Sequence, residues 1–93
     1  MAYDEGLAER VGARLAGAET KRMFGGLVFL RDGSIVAGVY GPDLLVRTGD
    51  VAAALREPGV RPFEMGGRPT KGFVLVAGDR LDDVTLEGWL SRR

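Results

Sequence analysis

Residues 27–40 read LVFLRDGSIVAGVY, two apolar runs joined across Asp32-Gly33. No other stretch limits the fold as strongly. Both central positions of the tightest hairpin turn need positive φ, which Gly accepts freely and Asp more readily than most residues. The pair therefore predicts an antiparallel hairpin between Leu27-Val28-Phe29-Leu30 and Ile35-Val36-Ala37-Gly38-Val39-Tyr40. Gly41-Pro42-Asp43 turns the chain again into Leu44-Leu45-Val46-Arg47, extending the hairpin to a three-stranded meander. These strands are apolar at most positions, not at alternate ones. Apolar side chains are thus expected on both sheet faces, so either helices cover both or one face stays open as a protein contact surface.

Helical periodicity brackets the meander. Leu7, Val11 and Leu15 recur every four residues, with Ala8 widening the stripe, and predict a helix over residues 4–16 capped by Asp4 and stopped at Gly17. Glu19-Thr20-Lys21-Arg22 reads as a polar turn. Asp50 caps a short helix through Leu55, which Pro58-Gly59 ends. Pro62 lacks an amide proton, so Arg61 to Met65 is an edge or irregular strand, and Gly72 to Ala77 supplies another. Leu81 and Leu86 flank the cap Asp82 at the spacing of a hydrophobic staple, opening a last helix with Leu86, Trp89 and Leu90 on one face. The expected architecture is α+β in two layers, an antiparallel five-stranded sheet with helices in the order α-β-β-β-α-β-β-α.

The 93 residues, 45% hydrophobic and 28% charged, suit one folded domain spanning 1–93. Without histidine or cysteine the chain lacks disulfides, thiolate and imidazole chemistry, and zinc sites of the usual kind. Thirteen basic residues balance thirteen acidic ones, so no global field draws the molecule onto nucleic acid or an anionic membrane. Asp4, Glu5, Glu9 and Arg10 interrupt the start where a signal peptide would be apolar, and no run approaches the roughly twenty apolar residues of a membrane span. A cytoplasmic protein with no membrane partner is expected.

The heptapeptide Gly66-Gly67-Arg68-Pro69-Thr70-Lys71-Gly72 puts two cations among glycines. It fails as a phosphate-binding P-loop in spacing and in context, because a strand rather than a helix follows it. It reads first as a corner between two strands, with Arg68, Lys71 and nearby Arg61 as the alternative, an anion-recognition group. Lys21, Arg22 and Arg31 form a second basic group around Phe24, where stacking on Phe24 or Phe29 would accompany nucleic-acid contact. A solvated rim beside core aromatics is the stronger reading. Ser34 and Ser91 have no histidine to activate them, and Asp82 and Asp83 sit where a helix start favours negative charge. No catalytic residue, metal site or cofactor is expected, and the chain does not read as an enzyme.

KRMFGGLVFL (21–30), DLLVRTG (43–49) and EPGVRPFEMGGRPTKGFVLV (57–76), in this order after the amphipathic opening helix, resemble the N-terminal domain of the TfoX/Sxy competence regulators of bacteria. The resemblance covers essentially the whole chain, and departs from the common family pattern at Thr70, where members often carry Met. It implies a fold like that of secretion chaperones. It also implies a non-catalytic regulatory domain working through protein contacts on a sheet face or edge, in transcription regulation. Full-length regulators act with a cAMP receptor protein and add a C-terminal helical domain; this chain ends at Arg93 and is expected to be the N-terminal domain standing alone. Matching positions are Arg22, Phe24, Gly25, Gly26, Arg47, Gly67, Arg68, Lys71 and Gly72. A protein partner is expected, which a second copy could supply as a homodimer. The alternative is a small nucleic-acid or phosphate-ligand binder using Arg22, Arg68 and Lys71.

Overall fold

A computed structural model describes residues 3–23, 25–65 and 67–91. The elements are α1 (Glu5–Arg14), β1 (Glu19–Met23), β2 (Gly26–Arg31), β3 (Ser34–Tyr40), β4 (Asp43–Arg47), α2 (Val51–Ala54), β5 (Val60–Met65), β6 (Arg68–Val76) and α3 (Asp83–Ser91), with a single 3-10 turn at Gly78–Arg80 before α3. All strand pairings are antiparallel, in the order β1-β2-β3-β4-β6-β5.

The class is α+β as expected, but the sheet has six strands where five were expected. The added strand is β1, read from the sequence as a polar turn. Its first four residues are exposed, so it carries no apolar alternation to betray it. It forms because Met23 and Gly26 close a two-residue hairpin that lays Glu19 to Met23 along β2. Strand β6 also starts earlier than expected, at Arg68.

Local signals account for most of the remaining elements. Asp32 and Gly33 take φ of 53° and 80°, the left-handed conformation the tight turn requires. Asp4 accepts from the Leu7 amide at 3.0 Å and Asp50 from the Ala53 amide at 3.0 Å, capping α1 and α2. Asp82 does the same for α3, accepting from the Thr85 amide at 2.7 Å. That bond, reinforced by the Thr85 hydroxyl and the nearby charge of Arg10, holds the Asp82 carboxyl below its ordinary value of 3.8. The ionised form is favoured by the fold, so the cap supports α3 above pH 3.8 and fails as pH falls through the lowered value. The Thr85 amide resonance should titrate in that acid range in the wild type and stay flat in Asp82→Asn, which keeps the capping oxygen without the charge.

One face of the sheet carries the helices. Phe29, Ala37, Val39, Leu44, Val46, Val74 and Val76 meet Leu7, Val11 and Leu15 from the α1 end, Ala54 of α2, and Leu86 and Trp89 of α3. The other face carries Val28, Leu30, Leu45 and Leu75, all buried, with no helix among their partners. Both alternatives read from the sequence therefore fail. Phe63 of edge strand β5 is buried in the same cluster, so part of this face is covered by a side chain of the sheet itself. The rings of Tyr40 from β3 and Phe63 from β5 meet edge to face at 5.5 Å, reaching across the strands between them. Among the described residues the large exposed apolar side chains are Tyr40, Leu55 and Val84, which come from separate elements.

Candidate functional site

The two glycine-rich segments are hairpin corners. In the first, Gly25 has φ of 77° and Gly26 lies so close to β3 that a Cβ there would meet the Val39 carbonyl oxygen at 2.4 Å. In the second, Met65 pairs with Arg68 across the Gly66-Gly67 loop, and Gly67 has φ of 81°. Phe24 and Gly66 lie outside the described residues, so the reading of a basic group around Phe24 receives no structural account. Gly72, at φ 80°, sits in a wide irregularity. Pro62 pairs with Val74 and Glu64 with Pro69, which leaves residues 70–73 opposite Phe63 alone. The bend aims Phe63 inward. The described part of GGRPTKG therefore turns the chain at Gly67 and bends it at Gly72, and it leads into strand β6, not into a helix whose N-terminus could bind phosphate.

Tyr40 lies between the corners. Gly26 packs against the backbone of Tyr40, and the Tyr40 ring meets Phe63 next to the second hairpin. Arg22, Arg68 and Lys71 are exposed, and no ion pair or hydrogen bond among the described residues joins them to each other or to a carboxylate. Arg61, grouped with Arg68 and Lys71 in the sequence, is engaged elsewhere. Its guanidinium donates to Asp43 at 2.5 Å, while the same buried carboxylate accepts from the Gly78 amide at 3.1 Å. The carboxylate thereby ties β4, β5 and the 3-10 turn together.

Two of the motif positions, Arg47 and Gly72, meet at the other end of the sheet. The Thr48 amide donates to the Gly72 carbonyl at 2.8 Å, and the Arg47 guanidinium lies 5.9 Å from the centre of the Phe73 ring. Here a groove of about 760 Å³ opens between the ends of β2 and β4 and the last turn of α3. Its walls include Arg31, Arg47, Thr48, Val36, Trp89 and Leu90. The sequence puts Trp89 on one helix face with Leu86 and Leu90; it is buried, and it also lines this groove, which the spacing does not show. These residues come from separate elements, and no local spacing marks the convergence.

Among the described residues no group of His, Cys, Asp and Glu could hold a metal ion, and no helix is long and apolar enough to cross a membrane. The fold and its glycine-pinned corners define a small α+β domain with a six-stranded antiparallel sheet and helices on one face. The chain belongs to the TfoX N-terminal domain family, whose family model matches residues 11–92. The family is regulatory and non-enzymatic. No curated protein and no solved structure gives a significant match.

Proposed function

We propose that the chain is a regulatory interaction domain that acts on transcription in the cytoplasm by protein contact, with the outer edge of β1 as its contact strip. Membership of the TfoX N-terminal family supports a competence-regulator-like role. The sheet faces are already filled, which leaves the edges. Strand β5 is a poor template, since it carries Pro62 and is broken by the wide irregularity. Among the described residues strand β1 pairs only with β2; it is unbroken and exposes Glu19 to Arg22. That strip is the observation carrying the proposal. Met23 stands opposite Gly26, and the pair that closes so tight a hairpin is ordinarily hydrogen-bonded, so the alternation of an antiparallel ladder turns the amides of Thr20 and Arg22 outward, where an added strand would use them.

Thr20→Pro removes one outward donor without touching the ladder to β2. In a strain lacking the protein, transcript profiling should show a set of messages restored by the wild type and left unrestored by Thr20→Pro, with the variant's unfolding midpoint unchanged. Full restoration by Thr20→Pro sinks the edge reading, and no transcript change at all sinks the regulatory one. The alternative, anion binding through Arg22, Arg68 and Lys71, has in its favour that all three cations are exposed and free of carboxylates among the described residues. It would appear in the same assay as failure of Arg68→Ala with Lys71→Ala while Thr20→Pro still restores.

A further inference from the structure

We infer that the groove between the ends of β2 and β4 and the last turn of α3 is a binding site for a small organic acid, an apolar body bearing a carboxylate. Its volume of about 760 Å³ suits a small-molecule ligand. The lining is divided by chemistry. Leu15, Val36, Trp89 and Leu90 make an apolar floor, and Trp89 and Leu15 are buried beneath it. Arg31 and Arg47 stand at the rim. Among the described residues no aspartate or glutamate lines the groove, although acids and bases are equal in number over the chain. The segregation of charge selects the ligand: a cation would meet two guanidiniums, and a neutral apolar molecule would leave them unused.

Both arginines are held without being neutralised. Arg31 donates to the Ala16 carbonyl at 3.4 Å, which occupies an oxygen at the end of α1 that would otherwise repel an anion. Arg47 donates to the Ile35 carbonyl at 3.5 Å and rests near the face of Phe73. Neither has an ion pair among the described residues. Long bonds to neutral carbonyls leave most of each guanidinium's donors available, and a fork of parallel N–H groups suits a carboxylate. The Thr48 hydroxyl accepts from the Asp50 amide at 3.2 Å, so its own proton is directed elsewhere and adds a donor at the rim. Thr48 is fixed by its bond to Gly72, which gives the family-motif glycine a place in the groove wall.

Trp89 is the single tryptophan of the chain and reports on the site directly. The test is a titration of the purified protein with 4-phenylbutyrate, followed by Trp89 fluorescence and by amide shifts in heteronuclear NMR spectra. The neutral 4-phenylbutanol serves as the paired probe. The acid should give a saturable fluorescence change with shifts clustered at Arg31, Thr48 and Leu90, and the alcohol should bind at least about tenfold more weakly. Arg31→Gln and Arg47→Gln should each weaken the acid by about tenfold, while Arg68→Gln, outside the groove, should not change it. Absence of saturation with either probe, equal binding of acid and alcohol, or an acid affinity unaffected by both groove variants overturns the proposal. NMR spectra of the variants show directly whether the fold is retained, so a loss of binding through unfolding is recognisable.

Discussion

Gly26→Ala is expected to destabilise the domain by about 4 kcal/mol or more, or to prevent folding. The added methyl would sit 2.4 Å from the Val39 carbonyl oxygen and 3.3 Å from the Tyr40 Cα, both backbone atoms of the paired strand. A flexible side chain could swing aside; a strand cannot move without breaking its ladder. The neighbouring Gly25→Ala separates sterics from conformation. Gly25 has φ of 77° but open space around its would-be Cβ, so alanine there should cost only about 1–2 kcal/mol. Urea unfolding of the two variants beside the wild type measures the difference. If the two losses were equal, close approach of β2 and β3 would not be what requires the second glycine of Arg-Met-Phe-Gly-Gly.

Asp43→Ala should cost about 2–3 kcal/mol through a different cause. The Asp43 side chain is 9% exposed and serves two donors, the Arg61 guanidinium and the Gly78 amide. Its loss leaves a backbone N–H without its acceptor. Arg61 is 53% exposed, so water takes up its charge after the change. That solvation places the loss below the range of about 3–5 kcal/mol for breaking a fully buried pair. In a double-mutant cycle with Arg61→Ala, the combined loss should fall short of the sum of the single losses by more than about 0.5 kcal/mol. Strict additivity would mean that the ion pair contributes nothing beyond the bond to Gly78.

The elements that the sequence announced are those whose causes are local. Asp32-Gly33 needs only its own backbone preference to make a hairpin, and Asp4, Asp50 and Asp82 need only the next turn of chain to act as caps. Strand β1 was hidden because an edge strand exposed at Glu19, Thr20, Lys21 and Arg22 leaves no apolar pattern to read. The early half of β6 was hidden for a related reason, since Arg68, Pro69, Thr70 and Lys71 look like loop and only Arg68 and Pro69 find partners, in β5. The two-faced apolar strands are legible in the sequence, but what covers the second face depends on a distant side chain. Nothing near Leu45 or Leu75 in the chain says that Phe63 will fold over them. As for the candidate sites, the glycine motifs stood out as short strings, whereas the groove uniting Arg31, Arg47 and Trp89 exists only after the sheet and α3 have met.

The strand order has a consequence for how the chain reaches this state. Four ladders join strands that follow one another along the chain; β4–β6 alone skips an element, bringing Arg47 to Phe73 across α2 and β5. Loop-closure entropy grows with the length enclosed, so this ladder carries the largest entropic toll of any in the sheet. The β1–β4 meander and the β5–β6 hairpin can each assemble from neighbouring residues, but neither buries both sheet faces without the other. Their meeting along β4–β6 closes the second core, places Asp43 against Arg61 and Gly78, and brings Thr48 to Gly72. Cooperativity in this small domain is thus concentrated at one seam, and two halves that are locally simple become a single thermodynamic unit there.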